Sequence, residues 1–339
     1  MIPLKKNIPL QTLHTFGFEA FAQYYTEIHT HEDIITLLDA YDELPQPILC
    51  LGGGSNILFR SEYTGTLLAM RLLGKEIIEE NDDTVVLRCA AGEEWHPLVE
   101  WTVQQGWCGI ENPALIPGTC GAAPIQNIGA YGVEIQERIL TVEWIDFSTK
   151  QQRIFTNKEC AFGYRDSIFK KELAKKGIIT AITLQLSKKP DLRMSYADIQ
   201  QELQTANCTH PTVRTIFDAV VAIRSRKLPN PKDIGNAGSF FKNPVITATH
   251  FQHLQQQYPT LPHYPQNDGT VKIPAAWLIE KAGWKGYRRG NIGVSPTQAL
   301  VLVHYGNGSG EEIITLSQDI IHDIAQKFSI TLECEVSIV

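Results

Sequence analysis

Long runs of any one kind are what this 339-residue sequence lacks. No basic stretch interrupts a formal net charge of −7. Nucleic-acid binding is therefore disfavoured as the main activity, because neutralising phosphates takes clustered lysine and arginine. No apolar run is long enough to span a bilayer. The opening Met-Ile-Pro-Leu-Lys-Lys-Asn leads into no apolar segment, so a secretory signal is not expected. The seven cysteines, Cys50, Cys89, Cys108, Cys120, Cys160, Cys208 and Cys334, are scattered, odd in number and without a Cys-x-x-Cys pair. That speaks against a disulfide framework or a zinc knuckle and fits a reducing cytoplasm. The thiols read as small buried hydrophobes rather than catalytic groups, and no metal site is expected. Two familiar phosphate-binding signatures are missing as well. The glycines fit neither Gly-x-Gly-x-x-Gly before a helix nor Gly-x-x-x-x-Gly-Lys-[Ser/Thr], which argues against a Rossmann dinucleotide fold and a P-loop NTPase.

What is present is ordinary for a globular chain with a sizeable core: 43% hydrophobic and 20% charged residues. At roughly 150 residues per domain, the length allows two or three domains. Short strands are expected at 47–51, 57–59, 67–70, 77–78 and 84–89, then at 140–146, 178–186, 299–304 and 331–339. Helical spacing occurs at 92–105, 212–226, 275–282 and 311–328. The 212–226 helix stops at Leu228-Pro-Asn-Pro231, a natural linker.

The chemistry is concentrated in two glycine-rich segments about sixty residues apart, Leu51-Gly-Gly-Gly-Ser-Asn-Ile-Leu58 and Pro117-Gly-Thr-Cys-Gly-Ala-Ala-Pro-Ile-Gln-Asn-Ile-Gly-Ala-Tyr-Gly132. Glycine lets backbone N–H groups approach an anion closely. Two such cradles suggest one long phosphate-bearing ligand gripped from two sides. The plain alternative for the first is a tight turn between strands. Ser55 and Asn56 weigh against it, since both can hydrogen-bond a phosphate. The second is a long irregular stretch that is costly unless something fills it.

These two motifs resemble the FAD-binding pattern of the UDP-N-acetylenolpyruvoylglucosamine reductase (MurB) family. Phe162-Gly-Tyr-Arg-Asp-Ser167, Gly235-Asn-Ala-Gly-Ser-Phe-Phe-Lys-Asn-Pro244 and Leu332-Glu-Cys-Glu-Val336 resemble that family's three catalytic stretches, in order, so the likeness spans residues 10 to 337. It implies an α+β chain: a vanillyl-alcohol-oxidase-like, two-lobed FAD-binding fold plus a third α+β substrate-binding domain. The expected division is 1–70 with the C-terminal strand 329–339, then 71–227, then 228–328. The implied reaction belongs to peptidoglycan precursor synthesis, and with it to cell-wall biogenesis, cell shape and division. NADPH reduces FAD, and the reduced flavin reduces the enolpyruvyl group of UDP-N-acetylglucosamine enolpyruvate, giving UDP-N-acetylmuramate. The cytoplasm is the expected compartment, with a UDP-sugar as partner and neither nucleic acid, membrane insertion nor an obligate protein partner.

By the same resemblance Ser239 is the proton donor, and Arg165 and Glu335 flank the enolate and the substrate carboxylate. Such charge development needs an acid and fixed donors, and arginine brings a permanent charge with several N–H groups. Taken singly, Ser239 reads as a turn residue, Glu335 as a solvated charge and Arg165 as a partner for Asp166. Cofactor contacts are implied for Gly52, Gly53, Gly54, Ser55, Asn56, Ile116, Gly118, Thr119, Ile125, Gln126, Gly129, Ala130, Tyr131 and Arg224. Substrate contacts are implied for Tyr164, Tyr196, Lys227, Asn243, Tyr264 and Lys272, with Tyr196 on the loop that marks the longer type of the family. No histidine or cysteine lies in Gly52–Asn56, so non-covalent FAD is expected. One departure is Cys334, where the family often has proline. The competing classes are an oxidase on the same fold, which would not need Ser239 and Glu335, and a non-catalytic nucleotide-binding module, which would carry no flavin colour.

Overall fold

The computed structural model describes residues 3–339. The chain divides into two compact units. The first comprises the described residues up to Ile8, Ala22–Gly54 and Thr64–Arg226; the second comprises Pro9–Phe21, Ser55–Tyr63 and Lys227–Val339.

The first unit is built on two sheets. One has the strand order Lys5–Pro9, Phe21–Ile28, Tyr63–Met70, Ile48–Leu51. Its last two strands run parallel, with Leu51 opposite Ala69, so the glycine run that follows Leu51 leaves the sheet at a strand's C-terminal end. The helix His31–Asp39 packs Ile34, Leu37 and Leu38 into a core with Ile28, Ile48, Leu68, Met70 and Phe147. The other sheet is antiparallel, in the order Gln152–Thr156, Ile139–Asp146, Gly177–Ser187, Thr84–Ala90, Lys75–Glu80. Its central strand, Gly177–Ser187, is buried almost throughout, with Ile178, Ile179, Ala181, Ile182, Leu184 and Leu186 contributing apolar side chains. Trp95, Leu98 and Val99 of helix Trp95–Gln104 and Ile216, Val220 and Ile223 of helix Val213–Lys227 share that second core.

The second unit carries a sheet in the order Gly235–Ser239, Val301–His304, Ile292–Val294, Arg288–Arg289, a small three-stranded sheet, and the 19-residue helix Gly310–Phe328. That helix starts at a capping box: Ser309 accepts from the Glu312 N–H, and Glu312 accepts from the Ser309 N–H. Gly310 is required there, since a Cβ would strike the Phe59 carbonyl oxygen. Phe240, Phe241, Val301, Ile313, Ile320 and Ile324 are buried in this unit.

Most expected strands and helices form within a few residues of the expected bounds. The exception is the expected strand at 331–339. Only Ser337–Ile338 is a strand, parallel to Ile57–Leu58. Residues further back make a single bridge, Cys334 opposite Phe241. The Gln-rich tract near 251–258 lies in the helix Ala248–Gln257.

Candidate functional site

In the first unit the two glycine segments meet face to face. A Cβ on Gly53 would lie 2.8 Å from the Gly118 Cα, and one on Gly52 would lie 2.5 Å from Thr119 Oγ1. The approach is possible because glycine has no side chain at either point. Arg71 holds the first segment by donating to the Gly52 carbonyl at 3.3 Å. The second is held at the start of helix Trp95–Gln104, where the Trp95 N–H donates to the Gly118 carbonyl and the Cys120 N–H to that of Glu93. Ile116 packs on the core of this unit, whereas Ile125 is exposed and Gln126 half-buried.

The second segment ends in a tight hairpin, Gly129–Ala130 pairing with Val133–Glu134. Its turn residues Tyr131 and Gly132 have φ of 50° and 83°, the left-handed pair that a two-residue hairpin of the I′ kind demands. Arg165, itself at φ 54°, donates to the carbonyls of Gly129 at 2.7 Å and Asn127 at 3.4 Å. Its guanidinium lies over the neighbouring Tyr164 ring. The carboxylate of Asp166 engages Lys171. Arg165 therefore stands beside the second glycine segment.

Four polar atoms in this unit are sealed from solvent and have no partner among the described residues: Asn112 Oδ1, Thr119 Oγ1, Thr180 Oγ1 and Arg224 Nε. Arg224 is half-exposed as a residue but its Nε is not, and burial, with Arg165 nearby, pulls its pKa down while Tyr131 opposes that shift. An orphaned hydroxyl beside the bare backbone of Gly52, and a buried guanidinium near the Tyr131 hairpin, are groups that suit an anion such as a diphosphate. The residues thus fit a phosphate-bearing cofactor such as FAD.

Sequence reasoning missed two residues here. His96 Nδ1 accepts from the Leu115 N–H at 3.0 Å, with its ring stacked on Phe217. Burial lowers its pKa, which favours the neutral acceptor form. Asn112 donates to the Tyr131 and Arg193 carbonyls, both at 3.0 Å. Neither sits in a recognisable motif, so composition offered no signal. Tyr196 directly precedes the helix Ala197–Thr205, with its ring edge-on to Tyr131 at 5.2 Å.

In the second unit Ser239 ends the strand Gly235–Ser239, half-buried, directly after Gly238 at φ 68°. The chain then pairs with the C-terminal segment. The Glu335 N–H donates to the Phe240 carbonyl at 2.8 Å, and the Lys242 N–H to the Glu333 carbonyl at 2.9 Å. This sets Glu335 beside the residue that follows Ser239. Cys334 faces Phe241 between those two bonds, so its own N–H is not used in the pairing, and a residue lacking an N–H would fit there too. Asn56 joins the same group, donating to the Glu335 carbonyl at 3.3 Å and accepting from the Ser337 N–H at 3.1 Å. Tyr264 and Lys272 are cross-strand partners. Asn243 Oδ1 accepts from the Ala275 N–H at 2.9 Å, at the start of helix Ala275–Lys281. Lys227 ends the helix Val213–Lys227.

A glycine-lined cradle without a Rossmann motif, with the unpartnered Thr119 hydroxyl beside it and a sealed Arg224 Nε in the same unit, points to the class of non-Rossmann FAD-binding flavoproteins. Comparison with known proteins agrees. Residues 22–153 match the model of the FAD binding domain family, and residues 230–339 match that of the UDP-N-acetylenolpyruvoylglucosamine reductase, C-terminal domain. The chain is 42% identical to the UDP-N-acetylenolpyruvoylglucosamine reductase of Flavobacterium johnsoniae, over 99% of both chains. It is 45% identical to that of Amoebophilus asiaticus, again over 99% of both. The crystal structure of the Thermus caldophilus reductase (MurB) shares the fold, with a TM-score of 0.67 at 22% identity, covering 100% of this chain and 99% of that one. A solvent-stable cholesterol oxidase shares it more distantly, with a TM-score of 0.51 at 13% identity over 98% of this chain and 87% of that one. The chain belongs to the UDP-N-acetylenolpyruvoylglucosamine reductase family. It is an α+β, FAD-dependent oxidoreductase of peptidoglycan precursor synthesis. Among the described residues no helix is long and apolar enough to cross a membrane.

Proposed function

We propose that this chain reduces the enolpyruvyl group of UDP-N-acetylglucosamine enolpyruvate to UDP-N-acetylmuramate, with NADPH as the electron source, in the cytoplasm. The observation that carries the proposal is identity of 42–45% to reductases of that name over 99% of both chains. FAD, when bound, supplies the hydride chemistry. Gly52, Gly53, Gly118, Thr119 and Arg224 would hold its diphosphate, with Ser55, Asn56, Gln126 and the Gly129–Tyr131 hairpin as further contacts. The two sheets of the first unit act as the cofactor lobes, and the second unit carries most of the sugar contacts.

Ser239 delivers the proton. Reduction of the double bond leaves negative charge on the carbon beside the substrate carboxylate, and a positioned hydroxyl can protonate that carbon. What supports pairing Ser239 with Glu335 is the backbone bridge from Glu335 to Phe240, which fixes the two residues in one local frame. Arg165 supplies permanent positive charge for the carboxylate. Tyr164, Tyr196, Lys227, Asn243, Tyr264 and Lys272 bind the UDP-sugar, the tyrosines through ring faces and the lysines through charge.

The test separates the two half-reactions. Ser239→Ala should still bleach its flavin with NADPH at the wild-type rate, while turnover of the enolpyruvyl substrate falls roughly 10²- to 10⁴-fold. Wild-type turnover in that variant would remove Ser239 from the proton step.

A further inference from the structure

The Tyr196 turn is fastened to the rest of the first unit. At its base the Arg138 guanidinium donates to Asp191 at 2.7 Å and to the Gly109 carbonyl at 3.3 Å. The Gly109 N–H in turn donates to Glu111, and Glu111 and Asn112 are each 1% exposed. Leu192 and Met194 pack on the core of this unit. Asn112 then makes the connection that matters. Its amide nitrogen bridges two carbonyl oxygens, that of Tyr131 in the glycine hairpin and that of Arg193 in the turn. Only an NH₂ group can do this, because it offers two hydrogens where the amide oxygen offers none. The Asn112 oxygen is buried without a partner among the described residues. The fold therefore tolerates an unsatisfied acceptor in order to keep the double donor in place. The circuit is closed by the edge-on contact of the Tyr131 and Tyr196 rings.

We propose that Asn112 is a positioning residue that clasps the Tyr196 turn to the Tyr131 hairpin, so that cofactor occupancy at the hairpin and placement of Tyr196 are coupled. The proposal rests on the reading that Tyr131 lies along FAD; Tyr196 as a sugar contact is a separate claim. Such coupling is reciprocal: whatever orders the hairpin orders the turn, and the reverse holds by the same factor.

Hydrogen exchange read by mass spectrometry on FAD-loaded and FAD-stripped protein tests it. In the wild type, stripping FAD should raise exchange across 191–197 severalfold. In Asn112→Ala, exchange there should already be high with FAD bound and should not respond to its removal. Steady-state kinetics should show KM for the UDP-sugar raised about fivefold, with kcat within about twofold. Lost FAD response with an unchanged KM supports the clasp and removes Tyr196 from the sugar site. Two results overturn the proposal: wild-type exchange at 191–197 that ignores FAD, or a variant that keeps the full wild-type response. Where Asn112→Ala folds poorly, wild-type exchange at 191–197 that ignores FAD still overturns the proposal, and Asn112→Leu, which keeps the side chain's size and removes both donors, takes the place of the alanine variant.

Discussion

His14 shows how much a single buried polar group costs this fold. It is 4% exposed, its Nε2 lies 3.1 Å from the Phe18 carbonyl, and its ring packs on Phe18 and Phe59. Its Nδ1 is buried without a partner among the described residues. Burial pulls its pKa down to about 4, with nearby His304 adding in the same direction and the Phe18 bond opposing. In the unfolded chain the ring titrates near the ordinary histidine value, so the unfolded state binds the extra proton first as pH falls. Stability is thus independent of this group above about pH 6.5, is lost between about 6.5 and 4, and levels off below, for a total of about 3 kcal/mol. Urea unfolding across that range checks it: the difference in stability between wild type and His14→Phe should change with pH over the same window. A difference that stays constant would contradict the burial account. Little of this is legible in sequence. Tyr131, Asn127 and Arg165 all adopt left-handed backbone, a state that side chains other than glycine rarely take. Pattern reading assigns such angles to glycine and passes over residues held there by tertiary bonds.

At the scale of elements, the close approach of the two glycine segments is the feature a single substitution should break. Gly53→Ala would put a Cβ at 2.8 Å from the Gly118 Cα. Because the obstacle is backbone, not the end of a flexible side chain, the segments must move apart and carry their N–H groups with them. FAD affinity should fall at least about tenfold, a loss of about 1.4 kcal/mol, read by titrating stripped protein with FAD. Unchanged affinity would mean that the segments do not act as one cradle. Both segments were visible in the sequence because glycine density is a local signal, and the strand after Asn56 was visible as a return of apolar residues. The C-terminal segment departs from the expected 331–339 strand for the complementary reason. Alternation marks a residue as half-buried but not as having a continuous ladder to join. Here residues 333–335 bond to 240–242, while Ser337 and Ile338 pair with Ile57 and Leu58. Each partner is too short to extend the strand. The motif around Glu335 is legible in the sequence whatever secondary structure it adopts.

For the whole molecule, the change of texture at Leu228-Pro-Asn-Pro231 lies beside the division at Arg226 and Lys227. The membership of Pro9–Phe21 and Ser55–Tyr63 in the second unit had no compositional mark. It is decided by distant partners: Phe16 against Gly235, and Ile57–Leu58 against Ser337–Ile338. Cofactor binding should make the first unit's stability visible as a separate quantity. Thr119 Oγ1 and Arg224 Nε are sealed and unpartnered among the described residues, so a bound diphosphate removes a desolvation cost that the unfolded chain never bears. A ligand that binds only the folded state at a hundred times its Kd adds about 2.7 kcal/mol. For a unit of this size that corresponds to roughly 5–10 °C. Calorimetry of stripped protein with and without excess FAD should show a shift of that order, larger in wild type than in Arg224→Met, which keeps the packing of the side chain and removes its charge. An equal shift in both proteins would place the diphosphate away from Arg224. Acid precipitation of the loaded protein should leave the flavin in solution, since the first glycine segment offers no histidine or cysteine to bond it covalently.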